Sequence, residues 1–337
     1  MKLARIHGVD DVRLDEVKPQ EPGPRDAVLR IEACGICGSD LGYIKIGGMA
    51  GPADEPIALG HEYSAVVDRV GSEVSNVEPG TRVVMNPIAA ANSVGNGHPL
   101  SGGFCPEVLA HNVTEPGVLF EIPDSLPSDC AALAEPLGVG MQAVNQADVA
   151  PGQKVTVFGA GCIGMMAMVT LKYRGFQDVA IVDVSDKRLE IARTLGADLA
   201  LNPTRDDVWA RLREAHGTDL LLGTIECTGS DAYVECTGNQ QVMTDILNQA
   251  KPKAHISVPA LHREIFPMSL MTLMMKQLRI TGSMVYPEDF GETLRLLREV
   301  DLSPLITHKF ALDDFDAALE TARDTSVAGK VMIEFGS

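Results

Sequence analysis

The chain has 337 residues and a formal net charge of −18, which argues against nucleic acid or an anionic membrane as a partner, because both bind clustered Lys and Arg. Hydrophobic residues make up 45% of the chain, enough to build substantial cores, and the length favours two domains. Because the N-terminus has no apolar signal core and no apolar run is long enough to span a bilayer, we predict a cytoplasmic protein.

The first part of the chain contains alternating apolar stretches typical of half-buried strands, such as Ala27 to Ala33. The stretch Cys34-Gly-Ile-Cys-Gly-Ser-Asp40 follows, and its C-x-x-C spacing suits a redox pair or half of a zinc knuckle. No second C-x-x-C exists in the sequence, so the knuckle is disfavoured. In a reducing compartment the seven cysteines are expected to be thiols or metal ligands rather than disulfides.

Two further motifs place a carboxylate beside small or apolar residues. Gly60-His-Glu62 leads into an apolar strand, although a His-Glu pair taken alone is typical of a protein surface. Glu135 lies between Ala134 and Pro136. The following residues, 138–149, predict a helix that ends at a Pro-Gly turn, and we expect a domain boundary near there.

The centre of the chain predicts a strand, a tight turn and a helix in succession. The β-branched run Val155 to Phe158 precedes Gly159, Gly161 and Gly164 in G-x-G-x-x-G spacing, and good helix formers follow. In this spacing the first glycine permits the turn, the second lets a pyrophosphate approach, and the third lets the helix pack on the strand. The helix N-terminus then offers free N–H groups to the phosphates. The stretch predicts dinucleotide binding, with a purely structural turn as the alternative.

The choice of cofactor depends on Asp183, which ends the next apolar run, 19 residues after Gly164. Its carboxylate can accept hydrogen bonds from a ribose 2′-hydroxyl and would repel a 2′-phosphate. Arg188 lies nearby and can hold such a phosphate, but it falls in the next helical stretch. We therefore predict NAD rather than NADP. Cofactor contacts are also predicted at Ile163, Arg188, Val258 and Ser283.

The remaining elements alternate between strands and helices. Of the near-copies Ile225 to Gly229 and Val234 to Gly238, the second predicts a core strand because a helical run follows it, and the first has no clear assignment. The Met-rich stretch 268–278 predicts a core helix or an oligomer contact rather than a cofactor site. A strand at 279–286, a helix at 290–300 and a closing strand at 331–335 complete the prediction.

Together these motifs resemble those of the zinc-dependent medium-chain alcohol and polyol dehydrogenases. The resemblance covers nearly the whole chain, including the closing Gly329-Lys-Val331. It implies an α/β fold with a β-rich, GroES-like catalytic domain at 1–141 and 279–337. A doubly wound, parallel-sheet Rossmann domain is implied at 142–278. It also implies a homodimer or homotetramer.

The same resemblance implies a catalytic zinc ion. Cys37, His61 and Glu135 fall at the three protein-ligand positions, and Glu62 would be a fourth or exchanging ligand, as in the sorbitol dehydrogenase branch. The family often has a second, structural zinc held by four cysteines. Residues 88–103, where those cysteines would lie, contain none, so we predict one zinc per chain.

The resemblance also assigns catalytic and substrate-contacting residues. Ser39 would pass the hydroxyl proton outward, although its hydroxyl could instead cap a turn. The family's usual relay histidine is replaced by Gly42. Tyr43 and Tyr286 would line the pocket, together with Glu62 at the metal. Val285 stands where the sorbitol branch has an Arg that contacts polyol hydroxyls, which favours a less hydroxylated substrate.

We therefore predict an NAD-dependent, zinc-dependent dehydrogenase that interconverts a small alcohol and its ketone. The alcohol is a secondary alcohol, a polyol or a sugar acid. Two alternatives remain open: a zinc-free NAD(P)H-dependent reductase of the quinone reductase type, and a non-enzymatic NAD-binding sensor.

Overall fold

The computed structural model describes residues 1–336, and the chain divides into two compact units. The first unit combines Met1–Glu135 with the segment from Phe290 onward, and the second is Pro136–Asp289. The expected ranges end the second domain at 278. The strand Arg279–Gly282 pairs in parallel with His255–Val258, however, and so belongs to the sheet of the second unit.

The N-terminal part of the first unit is built mainly from strands. Its elements are β1 (Lys2–Gly8), β2 (Asp11–Glu16), β3 (Ala27–Gly35), α1 (Gly38–Ile46), β4 (Ile57–Ala58), β5 (Glu62–Val70), β6 (Arg82–Met85), β7 (Glu107–Ala110), β8 (Leu119–Glu121) and α2 (Ser128–Ala132).

Strands and helices alternate in the next part of the chain. They are α3 (Ala134–Gln146), β9 (Val155–Phe158), α4 (Cys162–Tyr173), β10 (Val179–Val182), α5 (Asp186–Thr194), β11 (Leu199–Leu201), α6 (Val208–His216), β12 (Thr218–Leu221), β13 (Ile225–Thr228), β14 (Ala232–Glu235), α7 (Gln240–Gln249), β15 (His255–Val258), α8 (Leu270–Lys276) and β16 (Arg279–Gly282). The chain then returns to the first unit through α9 (Gly291–Glu299), β17 (Ile306–Ala311), α10 (Phe315–Arg323) and β18 (Lys330–Glu334).

The main sheet of the first unit has β3 at its centre. Its strands are ordered β17-β18-β3-β5-β6-β8, and β7 also pairs with β3. The two halves of β3 have different partners on one side, because β7 pairs with residues 27–30 and β18 with residues 33–35. On the other side Gly35 is opposite Glu62 of β5. This register places the C-terminal strand β18 and the start of β5 on opposite sides of the end of β3.

The second unit has a parallel sheet in the order β11-β10-β9-β14-β15-β16. The order reverses between β9 and β14, which is the doubly wound arrangement. The predicted α/β fold class is thus confirmed, and the second near-copy is the core strand β14. The first near-copy is β13, which pairs antiparallel with β12 in a hairpin outside this sheet.

Among residues 1–336, no helix is both long and apolar enough to cross a membrane.

The predicted strand at 279–286 ends earlier than expected, at Gly282, and Met284 beyond it is 78% exposed. The Met-rich stretch forms α8, whose side chains are mostly exposed rather than part of the core.

Candidate active site

The first unit positions a group of possible metal ligands around the end of β3 and the start of β5. Cys37 is the N-cap of α1, and its backbone N–H donates to Asp40 Oδ2 at 2.9 Å. His61 follows Gly60, whose φ of +91° bends the chain just before β5. The possible ligand atoms of Cys37, His61 and Glu62 all lie within 4.8 Å of one another. The bend lets two adjacent side chains reach the same point.

The His61 ring lies between a hydroxyl and a buried carboxylate. Its Nε2 is 3.4 Å from Ser39 Oγ, and its Nδ1 is 3.6 Å from Asp40 Oδ1. Asp40 is fully buried, and burial above all raises the pKa of its carboxyl. A carboxylate behind a histidine orients the ring and fixes which nitrogen faces a metal.

Glu62 is held by a cation that comes from the far end of the sequence. Lys330 Nζ lies 2.5 Å from Glu62 Oε2 and also donates to the carbonyl oxygen of Ile36 at 3.1 Å. Both side chains are almost completely buried. Gly35 makes room for the pair, since a Cβ there would lie 2.3 Å from Glu62 Oε2.

Glu135 lies in the first turn of α3 and is buried. Burial pushes the pKa of His61 down, but the charges of Asp40, Cys37 and Glu135 outweigh it and place that pKa well above its usual value. Glu135 therefore acts electrostatically on the cluster. Burial, followed by repulsion from Glu62, raises the pKa of the Cys37 thiol.

The cluster fits a zinc ion chemically. It combines a thiol, an imidazole and a carboxylate, which are the usual zinc ligands. Among the described residues, Glu62 Oε1 and His61 Nδ1 are buried atoms without a hydrogen-bond partner. A buried polar atom without a partner destabilises the folded protein, because its desolvation is not compensated. A cation that binds Glu62 Oε1 and strengthens the His61–Asp40 contact would remove this destabilisation.

The hydroxyl groups expected to serve substrate chemistry lie at the edge of this cluster. Ser39 is half-buried in the first turn of α1, and Tyr43 follows one turn later. Burial raises the pKa of Tyr43, while a hydrogen bond with Ser39 lowers it. Ser39 therefore lies next to the His61 ring, and Tyr43 lies one turn further along the same helix.

The second unit carries the Gly-rich turn between β9 and α4. Gly159 has a φ of +95°, which favours glycine. A Cβ on Gly164 would lie 1.7 Å from the carbonyl oxygen of Gly159, so no larger residue fits between turn and helix. A Cβ on Gly161 would meet nothing within 4 Å. The backbone at Gly161 is thus open to a ligand at the start of α4, where Ile163 also lies.

Asp183 ties the end of β10 to this turn. Its Oδ2 accepts from the N–H of Ala160 at 2.7 Å, and its Oδ1 accepts from the N–H of Ser185 at 2.7 Å. The N–H of Arg188 in α5 donates to Ser185 Oγ at 3.4 Å. Asp183 is therefore placed beside the Gly-rich turn, with Arg188 one helical turn away.

The other predicted cofactor and substrate contacts of the second unit lie near the ends of β15 and β16. Val258 ends β15, and its carbonyl oxygen accepts from the N–H of Ser283 at 3.1 Å. Ser283 Oγ is another buried atom without a hydrogen-bond partner among residues 1–336. Tyr286 follows in the same unit, after the exposed Met284 and Val285.

Asp40 and Lys330 both occur in the sequence motifs, but the motifs assign neither residue a role. A signal was present for Lys330, because a lysine in an apolar closing strand needs a buried partner. Glu235 and His262, which pair in the second unit with Glu235 fully buried and His262 17% exposed, were not predicted either. No motif links those two residues.

Comparison with known proteins agrees with this geometry. A family described as "Zinc-binding dehydrogenase" matches residues 162–299, and the "Alcohol dehydrogenase GroES-like domain" family matches residues 23–124. Human sorbitol dehydrogenase is 31% identical, over 94% of this chain and 91% of its own. L-idonate 5-dehydrogenase of Vitis vinifera is 31% identical, over 98% and 93%. The crystal structure of 2R,3R-butanediol dehydrogenase from Bacillus subtilis is similar with a TM-score of 0.86 and 26% identity, over 99% of both chains.

Proposed function

Because this chain belongs to the zinc-binding dehydrogenase family, we propose that it is a zinc-dependent oxidoreductase that transfers hydride between NAD and the hydroxyl-bearing carbon of a small alcohol or polyol. The observation that carries this proposal is the group formed by half-buried Cys37 with buried His61 and Glu62, beside the hydroxyl of Ser39. The relatives are named as polyol and alcohol dehydrogenases, so a zinc-free reductase and a non-enzymatic sensor are not favoured.

The residues proposed to hold zinc are Cys37, His61 and Glu135, with Glu62 as a fourth or exchanging ligand. When bound, zinc would supply a Lewis acid for the substrate hydroxyl, and NAD would supply the hydride acceptor. Asp40 keeps the His61 ring in place through its Nδ1 side. Lys330 holds one oxygen of Glu62 and leaves the other unpaired.

The proton of the substrate hydroxyl is proposed to leave through Ser39. Ser39 Oγ lies next to the His61 ring and is half-buried, so it can accept that proton while its own passes to water. Tyr43, one helical turn after Ser39 in α1, and Tyr286 are proposed to contact the substrate. Ser39→Ala should lower kcat while leaving zinc content unchanged, which separates a relay from a structural cap.

The substrate is proposed to be a secondary alcohol with few further hydroxyls. Val285 replaces the arginine that the sorbitol dehydrogenase branch uses for polyol hydroxyls. A panel that contains 2,3-butanediol, sorbitol and L-idonate, followed by the absorbance of reduced nicotinamide, tests this. The highest kcat/KM is expected for the diol. No oxidation of any alcohol by the zinc-loaded protein would contradict the proposed function itself.

The cofactor is proposed to be NAD, because Asp183 stands at the strand end where a ribose 2′-hydroxyl would bind. With one substrate, kcat/KM should be higher with NAD than with NADP. Asp183→Ala should narrow that difference, since it removes both the ribose contact and the repulsion of a 2′-phosphate. A preference of the unmodified protein for NADP would contradict this assignment.

One zinc ion per chain is proposed, because residues 88–103 contain no cysteine. The nearest one, Cys105, is buried, and burial raises its pKa to about 11. Metal analysis of protein purified without chelator should give about one zinc per chain. Two tightly held ions would refute the assignment.

A homodimer or homotetramer is proposed, assembled through the edge of the second unit. The edge strand β16 follows α8 in the chain, and Met271 and Met274 of α8 are 65% and 67% exposed. Apolar surface of this kind is typical of an interface. Light scattering should give a multiple of the chain mass, and Met274→Glu should shift the measured mass towards that of the monomer.

We also propose that the protein acts in the cytoplasm, because its cysteines are free thiols.

A further inference from the structure

Glu235 is a fully buried carboxylate that belongs neither to the group of Cys37, His61 and Glu62 nor to the Gly-rich turn. It ends β14, and its Oε1 accepts from the backbone N–H of Thr237 at 2.7 Å and of Gly238 at 3.1 Å. The Thr237 hydroxyl donates to the same oxygen. A buried carboxylate needs such donors, and here they shape the turn that leads into α7.

The second oxygen of Glu235 reaches a histidine from another part of the unit. Glu235 Oε2 lies 2.7 Å from His262 Nε2, and His262 belongs to the segment between β15 and α8. Because a carboxylate can only accept, Nε2 carries the proton in this contact. When the ring carries only this proton, Nδ1 is a hydrogen-bond acceptor with a fixed direction.

The pair lies at the carboxyl edge of the sheet, where the strand order reverses. The N–H of Cys236 donates to the carbonyl oxygen of Phe158, at the end of β9, at 2.8 Å. A Cβ on Gly159 would lie 3.1 Å from Thr237 Cγ2, so this turn abuts the Gly-rich turn. Dinucleotides bind across such a reversal point, outside the carboxyl ends of the strands.

His262 also faces a cavity of about 660 Å³. Val258 and Gly282 line the same cavity, at the ends of β15 and β16. The other described lining residues are apolar, so His262 supplies the polar side chain of this wall. A mostly apolar cavity with one oriented polar group suits a flat aromatic ring that carries a polar substituent.

We propose that His262 binds the nicotinamide half of the cofactor and that Glu235 is the positioning residue that orients it. Asp183 follows β10, on one side of β9, whereas Glu235 and His262 lie on the other side, with β14 and β15. A dinucleotide whose adenosine ribose contacts Asp183 extends past the Gly-rich turn towards His262. Nδ1 then accepts a hydrogen bond from the carboxamide NH2 of the nicotinamide ring. This inference rests on the proposed nicotinamide cofactor.

The test compares NADH with ADP-ribose, which lacks the nicotinamide ring. Dissociation constants are measured by calorimetry for the unmodified protein, His262→Ala and Glu235→Gln. His262→Ala should weaken NADH binding about five- to tenfold, as expected for one lost hydrogen bond, and leave ADP-ribose binding unchanged. In Glu235→Gln the amide can donate to Nε2, which moves the ring proton to Nδ1, so NADH binding should weaken as well.

The matched control is His255→Ala. His255 starts β15 at the opposite end of that strand, and its Nδ1 lies 3.0 Å from the carbonyl oxygen of Ala147. This variant should bind both nucleotides normally. Unchanged NADH binding in His262→Ala would overturn the inference. Equal weakening of NADH and ADP-ribose binding would also overturn it, because it would show that His262 only stabilises the local structure. An unmodified protein that binds neither nucleotide would overturn the proposed cofactor and this inference together. If Glu235→Gln does not fold, His262→Ala decides alone.

Discussion

Replacing Lys330 by methionine should destabilise the metal-free protein strongly. Met has a similar length but no charge, so the change leaves the Glu62 carboxylate buried without its cation. Lys330 Nζ and Glu62 Oε2 are 2.5 Å apart, and the two side chains are 2% and 1% exposed. Removing one partner of a buried ion pair costs about 3–5 kcal/mol. In a unit of this size, that loss of stability lowers the midpoint of thermal unfolding by roughly 6–20 °C.

The assay is thermal and urea unfolding of metal-free protein. Lys309→Met is the matched control, because Lys309 also contacts two carboxylates, Asp129 and Glu334, but is 46% exposed. Its loss should cost no more than about 1 kcal/mol. Lys330→Met combined with Glu62→Gln should recover much of the lost stability, since no buried charge then remains unpaired.

Zinc provides a second readout of the same pair. In Lys330→Met both oxygens of Glu62 are free of the lysine, so saturating zinc should raise the unfolding midpoint more than it does in the unmodified protein. If metal-free Lys330→Met unfolds at the same midpoint as the unmodified protein, the buried pair contributes nothing and the reasoning is refuted. If zinc stabilises both proteins equally, Glu62 is not a ligand.

Three further predictions concern the same chain. Glu135→Ala should lose zinc and activity together, whereas Glu62→Gln should keep most of its zinc but show a lower kcat; the reverse pattern of zinc contents would exchange the two roles. Because the pKa values of Cys37 and His61 are both raised in the metal-free protein, zinc uptake should release protons, and affinity should decrease as the pH is lowered from 8 to 6 in a competition titration; a pH-independent affinity would contradict this. Burial lowers the pKa of His216 from 6.5 to about 4, so the unfolded chain binds a proton that the folded chain does not. The free energy of unfolding should therefore decrease between pH 6.5 and 4, by up to about 3 kcal/mol, and His216→Gln should flatten that dependence.

The sequence by itself identified the parts of this protein whose function follows from local geometry. The spacing of Gly159, Gly161 and Gly164 predicts a turn that no other residues form as easily, and Asp183 lies one strand later at a distance set by the βαβ unit. The short motifs around Cys37 and His61 are likewise local, so the sequence alone indicates these residues as candidate metal ligands.

The tertiary structure decided everything that depends on contacts between distant segments. Lys330 reaches Glu62 because β18 and β5 both flank the end of β3, a register that no local pattern encodes. Glu235 and His262 meet because parallel strands bring their carboxyl ends to one edge. The domain boundary after β16 and the β12–β13 hairpin also depended on pairing. Periodicity reports which face of a strand is buried, but the partner of a buried charge is fixed only when the strands are assembled.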